Sequence, residues 1–228
     1  MNPSASLKAR VLDAVRQHPV PRRTDRLPLT IALAAAAALA MSAVIQWFPP
    51  VFGEIGGIAH AGGRPASSGA WIVAGTVVLA ASATRLALPF RRSMLFPARG
   101  LLLGVAVAVP LLLGAWLVLW HGTYVDPFTR TGWRCFALTA LTAPWPFAAL
   151  VLAGRRVEPR HPAMAGAALG SVAGAWAAVM VELWCPLAAQ EHVLVGHVLP
   201  MFVLALAGAA FGARTFRVRR VPTTARDQ

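Results

Sequence analysis

The chain of 228 residues carries two cysteines, Cys135 in the stretch GWRC and Cys185 in ELWCP. A pair of thiols does one of two things that a single thiol does not. As thiolates they hold a soft or borderline metal ion, and as a dithiol they close a disulfide once their Cα atoms come within about 7 Å. Arg134, beside Cys135, favours the thiolate that both reactions need. His192 and His197 follow Cys185 closely, and two thiolates with one or two imidazoles form a donor set for zinc, cadmium or copper(I). The five-residue spacing of the histidines does not share an α-helical face, so at most one of them is expected to point at the cysteines. Glu182, one helical turn before Cys185, is a ligand, a proton acceptor for a thiol or a counter-charge to Arg134. The plain alternative for both cysteines is a small apolar filler between helices.

What positions these residues is a set of long apolar stretches. Hydrophobic residues make up 57% of the chain and charged residues 13%, about half the charge that a soluble domain carries. A bilayer core takes about 20 apolar residues per helix. Six stretches reach that length, at about 27–48, 69–90, 100–120, 134–153, 162–185 and 192–213. No period-two alternation suggests a β-barrel. The expected fold is therefore all-α, a polytopic membrane protein of six transmembrane helices. Its expected organisation is a cytoplasmic segment 1–26, a membrane domain 27–213 and a basic tail 214–228.

The net charge of +13 is mostly a statement of topology. All basic residues except Arg64, Arg85, Arg130 and Arg134 precede the first stretch, follow the last, or join the second to the third and the fourth to the fifth. The positive-inside rule then places both termini in the cytoplasm and the cysteines together at the outer end. An oxidising compartment on that side permits a disulfide. His60, His121, His192 and His197 share the outer side, and His18 and His161 the inner. Asp126, Glu191 and Glu54 read as solvated, and Arg85 as a side chain that snorkels to the inner surface. Trp133, Trp145, Trp176 and Trp184 suit interfacial or packing positions. No room is left for a basic folded module, so direct nucleic-acid binding is not expected. No cleavable signal peptide and no internal repeat are evident.

Residues 4–18 read as a short amphipathic helix with Leu7, Val11 and Val15 as its apolar stripe, widened by Leu12 and stopped by Pro19 and Pro21. With Arg22, Arg23 and Arg26 it suits either an anionic lipid surface or a cytoplasmic partner. The first outer loop, about 49–68, is rich in glycine and proline. Catalytic patterns are missing: CxxC, HExxH and GxSxG do not occur, and intramembrane charges are too few for a proton relay.

The run GWRC, Pro144, Arg155, Arg156, the small-residue stretch Ala165 to Ala175, and ELWCP resembles the NrsF-type family of six-span membrane anti-sigma factors. The likeness runs from about Gly132 to Arg220, and LKARVLDAVRQHPVPRR resembles the family's cytoplasmic start. In that family a histidine commonly precedes the second cysteine and Pro-Glu follows it; here Trp184 and Leu187 stand at the departing places. His192 or His197 is the candidate substitute. The resemblance implies a non-enzymatic protein of the bacterial inner membrane that holds an extracytoplasmic-function sigma factor. It also implies that Cys135 and Cys185 report on metal or oxidant and so govern release. A membrane thiol-disulfide oxidoreductase working with quinone, or a small metal transporter, are the competing readings.

Overall fold

The computed structural model describes residues 9–10, 13, 28–33, 35–37, 65–88, 98–123, 125–126, 129–154 and 159–216. They form an all-helical bundle with no strand among the described residues. In chain order the elements are α1 (Pro28–Ala37), α2 (Ala66–Ala87), α3 (Arg99–Leu119), α4 (Trp133–Thr142), α5 (Pro144–Gly154), α6 (Pro162–Glu182), α7 (Gln190–Val193), a π-helical turn (Leu194–Val198) and α8 (Leu199–Thr215).

Five stretches are long and apolar enough to cross a membrane: Ser67–Ala87, Arg99–Leu119, Trp133–Gly154, Pro162–Glu182 and Gln190–Thr215. Each falls on an expected span, with its ends moved by a few residues. The remaining expected span, 27–48, is represented by α1, whose Ile31 and Ala35 pack on the core; the rest of it lies outside the described residues. The expected amphipathic helix is helical at Ala9, Arg10 and Asp13. Leu7, Val11, Val15, Arg22 and Arg23 lie outside the described residues.

The bundle is built as a bilayer demands. Leu111, Leu112, Leu119, Leu141 and Leu206 stand exposed on its outside, where lipid rather than water is the solvent. Several polar side chains inside it are paired. Trp176 Nε1 donates to Thr84 Oγ1 at 3.0 Å, and that hydroxyl donates to the Ala80 carbonyl at 2.7 Å. Thr76 Oγ1 and Trp116 Nε1 both reach the Ile72 carbonyl, at 2.8 and 3.3 Å. Of the four tryptophans singled out above, Trp133 and Trp145 are exposed, whereas Trp176 and Trp184 are buried.

Helix α6 is the axis of the bundle. From Ala168 to Glu182 every residue is buried, as expected of a helix that is apolar and small on all sides. It packs most extensively against α8. The seam uses Gly166 and Gly170 on one helix and Gly208 and Gly212 on the other. A Cβ added at Gly170 would stand 2.1 Å from the Leu204 carbonyl oxygen, so the two backbones meet with nothing between them. Small residues four apart allow this approach, and dispersion contacts between backbones take the place of the hydrophobic effect, which is absent between helices in lipid. The fourth span is broken into α4 and α5 around Ala143, because Pro144 and Pro146 have no N–H to give to the ladder.

Candidate functional site

Cys135 lies in the first turn of α4. Gly132, just before it, adopts a left-handed conformation with φ 86°. A Cβ there would stand 2.7 Å from the His192 carbonyl oxygen and 2.8 Å from the Gly196 nitrogen. The start of α4 is thereby pressed against the π-helical turn, and Gly196 answers it: a Cβ at Gly196 would lie 3.0 Å from Cys135 Cβ. Cys185 follows the end of α6, held by a hydrogen bond from its own N–H to the Val181 carbonyl at 2.8 Å. The segment that follows it does not stand in solvent. Trp184, Cys185, Leu187 and Ala188 are all buried and fold back into the bundle.

The two sulfurs meet both histidines. Both cysteines are free thiols. One donor atom from each of Cys135, Cys185, His192 and His197 lies within 4.8 Å of every other. His192 Nε2 is 3.5 Å from Cys135 Sγ and 3.1 Å from Cys185 Sγ. The two imidazole centroids are 5.4 Å apart. This corrects the expectation that only one histidine faces the thiols. In an α-helix, five residues turn through about 500°, which leaves the two side chains some 140° apart. Here the chain between them is a π-helical turn, with the Leu199 N–H bonded back to the Leu194 carbonyl, and residues five apart come round to one face. Pro200 helps to open the ladder, since it has no N–H for the Gly196 carbonyl that an α-helix would pair with it.

Each histidine is held by its other nitrogen. His192 Nδ1 donates to the Arg130 carbonyl at 2.9 Å. His197 Nδ1 lies 2.6 Å from Glu182 Oε1, a close polar contact whose angle falls short of a straight hydrogen bond. These anchors turn His192 Nε2 toward both sulfurs and hold His197 in the same donor group. His197 Nε2 is fully buried, and His197 belongs to the same donor group as the two sulfurs. Glu182, 2% exposed, thus acts on His197.

The metal-free site keeps Cys185 as a thiol. Its hydrogen bond with Cys135 pushes its pKa up from 9.0 to about 12, helped by burial and by repulsion from a Cys135 thiolate, while the imidazoles pull the other way. A cavity of about 510 Å³ opens on the two sulfurs between Arg130, Trp133, Arg134, Leu138 and Leu187, and supplies an entry path.

The other expected residues are placed as follows. Arg134 is exposed at the mouth of this cavity. Arg85 is exposed in the last turn of α2, in keeping with snorkelling. Asp126, expected to be solvated, is half-buried and accepts a hydrogen bond from the Ala188 N–H at 3.1 Å, tying the segment before α4 to the one after α6. Two contributors escaped sequence reasoning: the Arg130 carbonyl and the π-helical turn. The first is a backbone atom that any residue supplies. The second had a signal in the His192–His197 spacing followed by Pro200.

The donor set fits a metal ion. A tetrahedral ion with bonds of about 2.3 Å to sulfur and about 2.0–2.1 Å to nitrogen keeps its donors roughly 3.3–3.8 Å apart. The observed sulfur–nitrogen separations at His192 lie close to that range. The same two sulfurs lie within 4.8 Å of each other.

No curated protein matches the chain, and no solved structure matches it either. A family model does match, across residues 13–218 and therefore across the whole bundle and the cysteine cluster: the chain belongs to the NrsF family, described as negative regulator of sigma F.

Proposed function

We propose that this chain is an inner-membrane anti-sigma factor that holds an extracytoplasmic-function sigma factor and releases it when Cys135 and Cys185 bind metal or are oxidised. The observation that carries the reading is the meeting of both thiols at one end of the bundle, in a member of a family of negative regulators. The charge pattern supports an orientation with that end outside. The partner would then be bound at the opposite end, by the stripe Leu7, Val11 and Val15 with Arg22 and Arg23, and by the basic loops. Such a protein needs no catalytic group and no contact with nucleic acid, and its basic N-terminal segment also suits anionic lipid.

A bound ion supplies two metal–thiolate bonds, and oxidation one sulfur–sulfur bond. Either fixes the start of α4 against the end of α6. Arg130, through its carbonyl, and Glu182 keep the imidazoles beside the sulfurs while this happens. Helix α6 runs buried through the bundle, so a change in how its outer end packs reaches the partner-binding end as a choice between two packings. Tenfold weaker sigma-factor binding requires a difference of about 1.4 kcal/mol between them.

The test is a pull-down of the tagged full chain from membranes, wild type beside Cys135→Ser/Cys185→Ser, with and without cadmium, zinc or a thiol oxidant. A sigma factor should co-purify, leave the wild type on treatment and stay with the double variant. A sigma factor that stays with the wild type throughout removes the sensing role. The absence of any sigma factor from every sample removes the anti-sigma reading.

A further inference from the structure

The donor set is more specific than a thiol pair, and the irregular helix beside it explains why. Two clamps fix the last span. Its outer end is fixed where His192 is tied to the Arg130 carbonyl. Its inner part is fixed by the glycine seam, where Gly208 and Gly212 touch α6. Between the clamps the chain carries one residue more than an α-helix would use, and the π-helical turn takes it up. The consequence lies at His197, which is turned onto the face of His192 and joins it in the donor group of the two sulfurs.

We propose that Cys135, Cys185, His192 and His197 are the four ligands of one tetrahedral zinc-class divalent cation, with the histidine half of the site created by the π-helical turn Leu194–Val198. The inference rests on the reading of the cysteine end as the sensing end and adds to it the ion class and the ligands. Two thiolates cancel the charge of a divalent ion, which matters where Cys185 is 6% exposed and His197 1%. A monovalent copper ion would leave one further negative charge uncompensated beside the Glu182 carboxylate. Two neutral imidazoles complete the coordination preferred by zinc and cadmium. Glu182 on His197 and a carbonyl on His192 are the outer contacts that metal-bound histidines use to fix their tautomer and aim. The binding step balances without a redox partner: the divalent ion enters, two metal–sulfur and two metal–nitrogen bonds form, and the thiol protons leave to water together with any proton that His197 carries on its ligating nitrogen.

The experiment is a cobalt(II) titration of the full chain in detergent under reducing conditions, followed by displacement with zinc. Cobalt reports its own geometry, because tetrahedral sites with thiolates give intense visible bands and sulfur-to-metal charge transfer, and octahedral sites do not. One cobalt per chain with tetrahedral bands, displaced by zinc, is expected. His192→Ala and His197→Ala should each weaken cobalt by at least tenfold and alter the bands. Deletion of Leu194, whose side chain faces outward, shortens the histidine spacing to four, which an ordinary α-helix places on one face; this variant should retain the tetrahedral spectrum. Octahedral cobalt in the wild type, or histidine variants that bind as the wild type does, overturns the proposal. So does loss of the spectrum in the Leu194 deletion when its circular dichroism and elution are unchanged; if the deletion unfolds, the histidine variants decide. If this proposal fails while an oxidant still releases a sigma factor, the regulator reading stands alone. A tetrahedral site in a chain that binds no sigma factor is the reverse outcome.

Discussion

Helix α6 meets the last span twice, by opposite means. Toward its start, Gly166 and Gly170 bring its backbone against Gly208 and Leu204. At its far end, Glu182 and the following Cys185 meet His197 and His192 through polar atoms. The seam is made by glycine backbones and gains its stability from close contact alone. The cysteine end does the reverse. It gathers four polar donors, from Cys135, Cys185, His192 and His197, within 4.8 Å of one another, and polar groups taken out of solvent cost free energy unless each is well paired. A ligand that pairs those donors recovers that cost, so under the proposed function the cysteine end is the one suited to respond. The seam holds the register against which that response is made.

The comparison breaks most visibly at the seam. Gly170→Leu places a side chain where even a Cβ would be 2.1 Å from a carbonyl oxygen. The loss should reach or pass the upper end of the ~1–3 kcal/mol typical of overpacking, read as a lower midpoint of thermal or detergent unfolding. A variant as stable as the wild type would mean that the two helices are not in backbone contact. At the other end, Glu182→Gln keeps the volume and removes the charge that orients His197. Zinc affinity should fall by about ten- to a hundredfold, the usual effect of losing such an outer contact, with the unfolding midpoint much less affected. Equal zinc affinity in both proteins would show that His197 is aimed by packing alone.

Proton competition sharpens the same end. The raised pKa of Cys185, about 12, means that its thiol is protonated at every physiological pH and that an ion must displace the proton. Affinity for zinc or cadmium should therefore rise with pH, by about tenfold per unit for each proton displaced, and fall as the solution is acidified. Competition with a chelator between pH 6 and 8 measures the slope. A flat profile would show that the ion does not take the Cys185 sulfur as thiolate.

Much of this was legible in the sequence, for reasons that differ by residue. The spans at α2, α3, α4–α5, α6 and α7–α8 follow from apolar length, a property of composition that no neighbour alters. The common placement of Cys135 and Cys185 follows from counting spans. The small-residue stretch from Ala165 to Ala175 enters the sequence reading only through the family resemblance, and nothing in it marks a seam with Gly208 and Gly212. His197 was misread because the 100° step of the α-helix was carried through a stretch where Pro200 and two fixed registers replace it with a wider turn. The Arg130 carbonyl and the partner of Asp126 were not legible, because backbone atoms have no identity in a sequence.

Asp126 gives the smallest expected effect and the finest test of how the cysteine end is assembled. Its Oδ1 accepts from the Ala188 N–H, joining the segment that precedes α4 to the buried one that follows Cys185. Asp126→Ala removes one partly buried hydrogen bond, worth about 0.5–1.5 kcal/mol, and leaves the four donors untouched. Unfolding should shift by that amount, and zinc affinity should change by less than it does in Glu182→Gln. If Asp126→Ala weakens zinc as strongly as Glu182→Gln, the sulfurs are positioned by the outer segments more than by the anchors on the histidines. The responsive end would then extend from α4 and α6 into the loops, and its contrast with the seam would be one of tethered segments against packed helices.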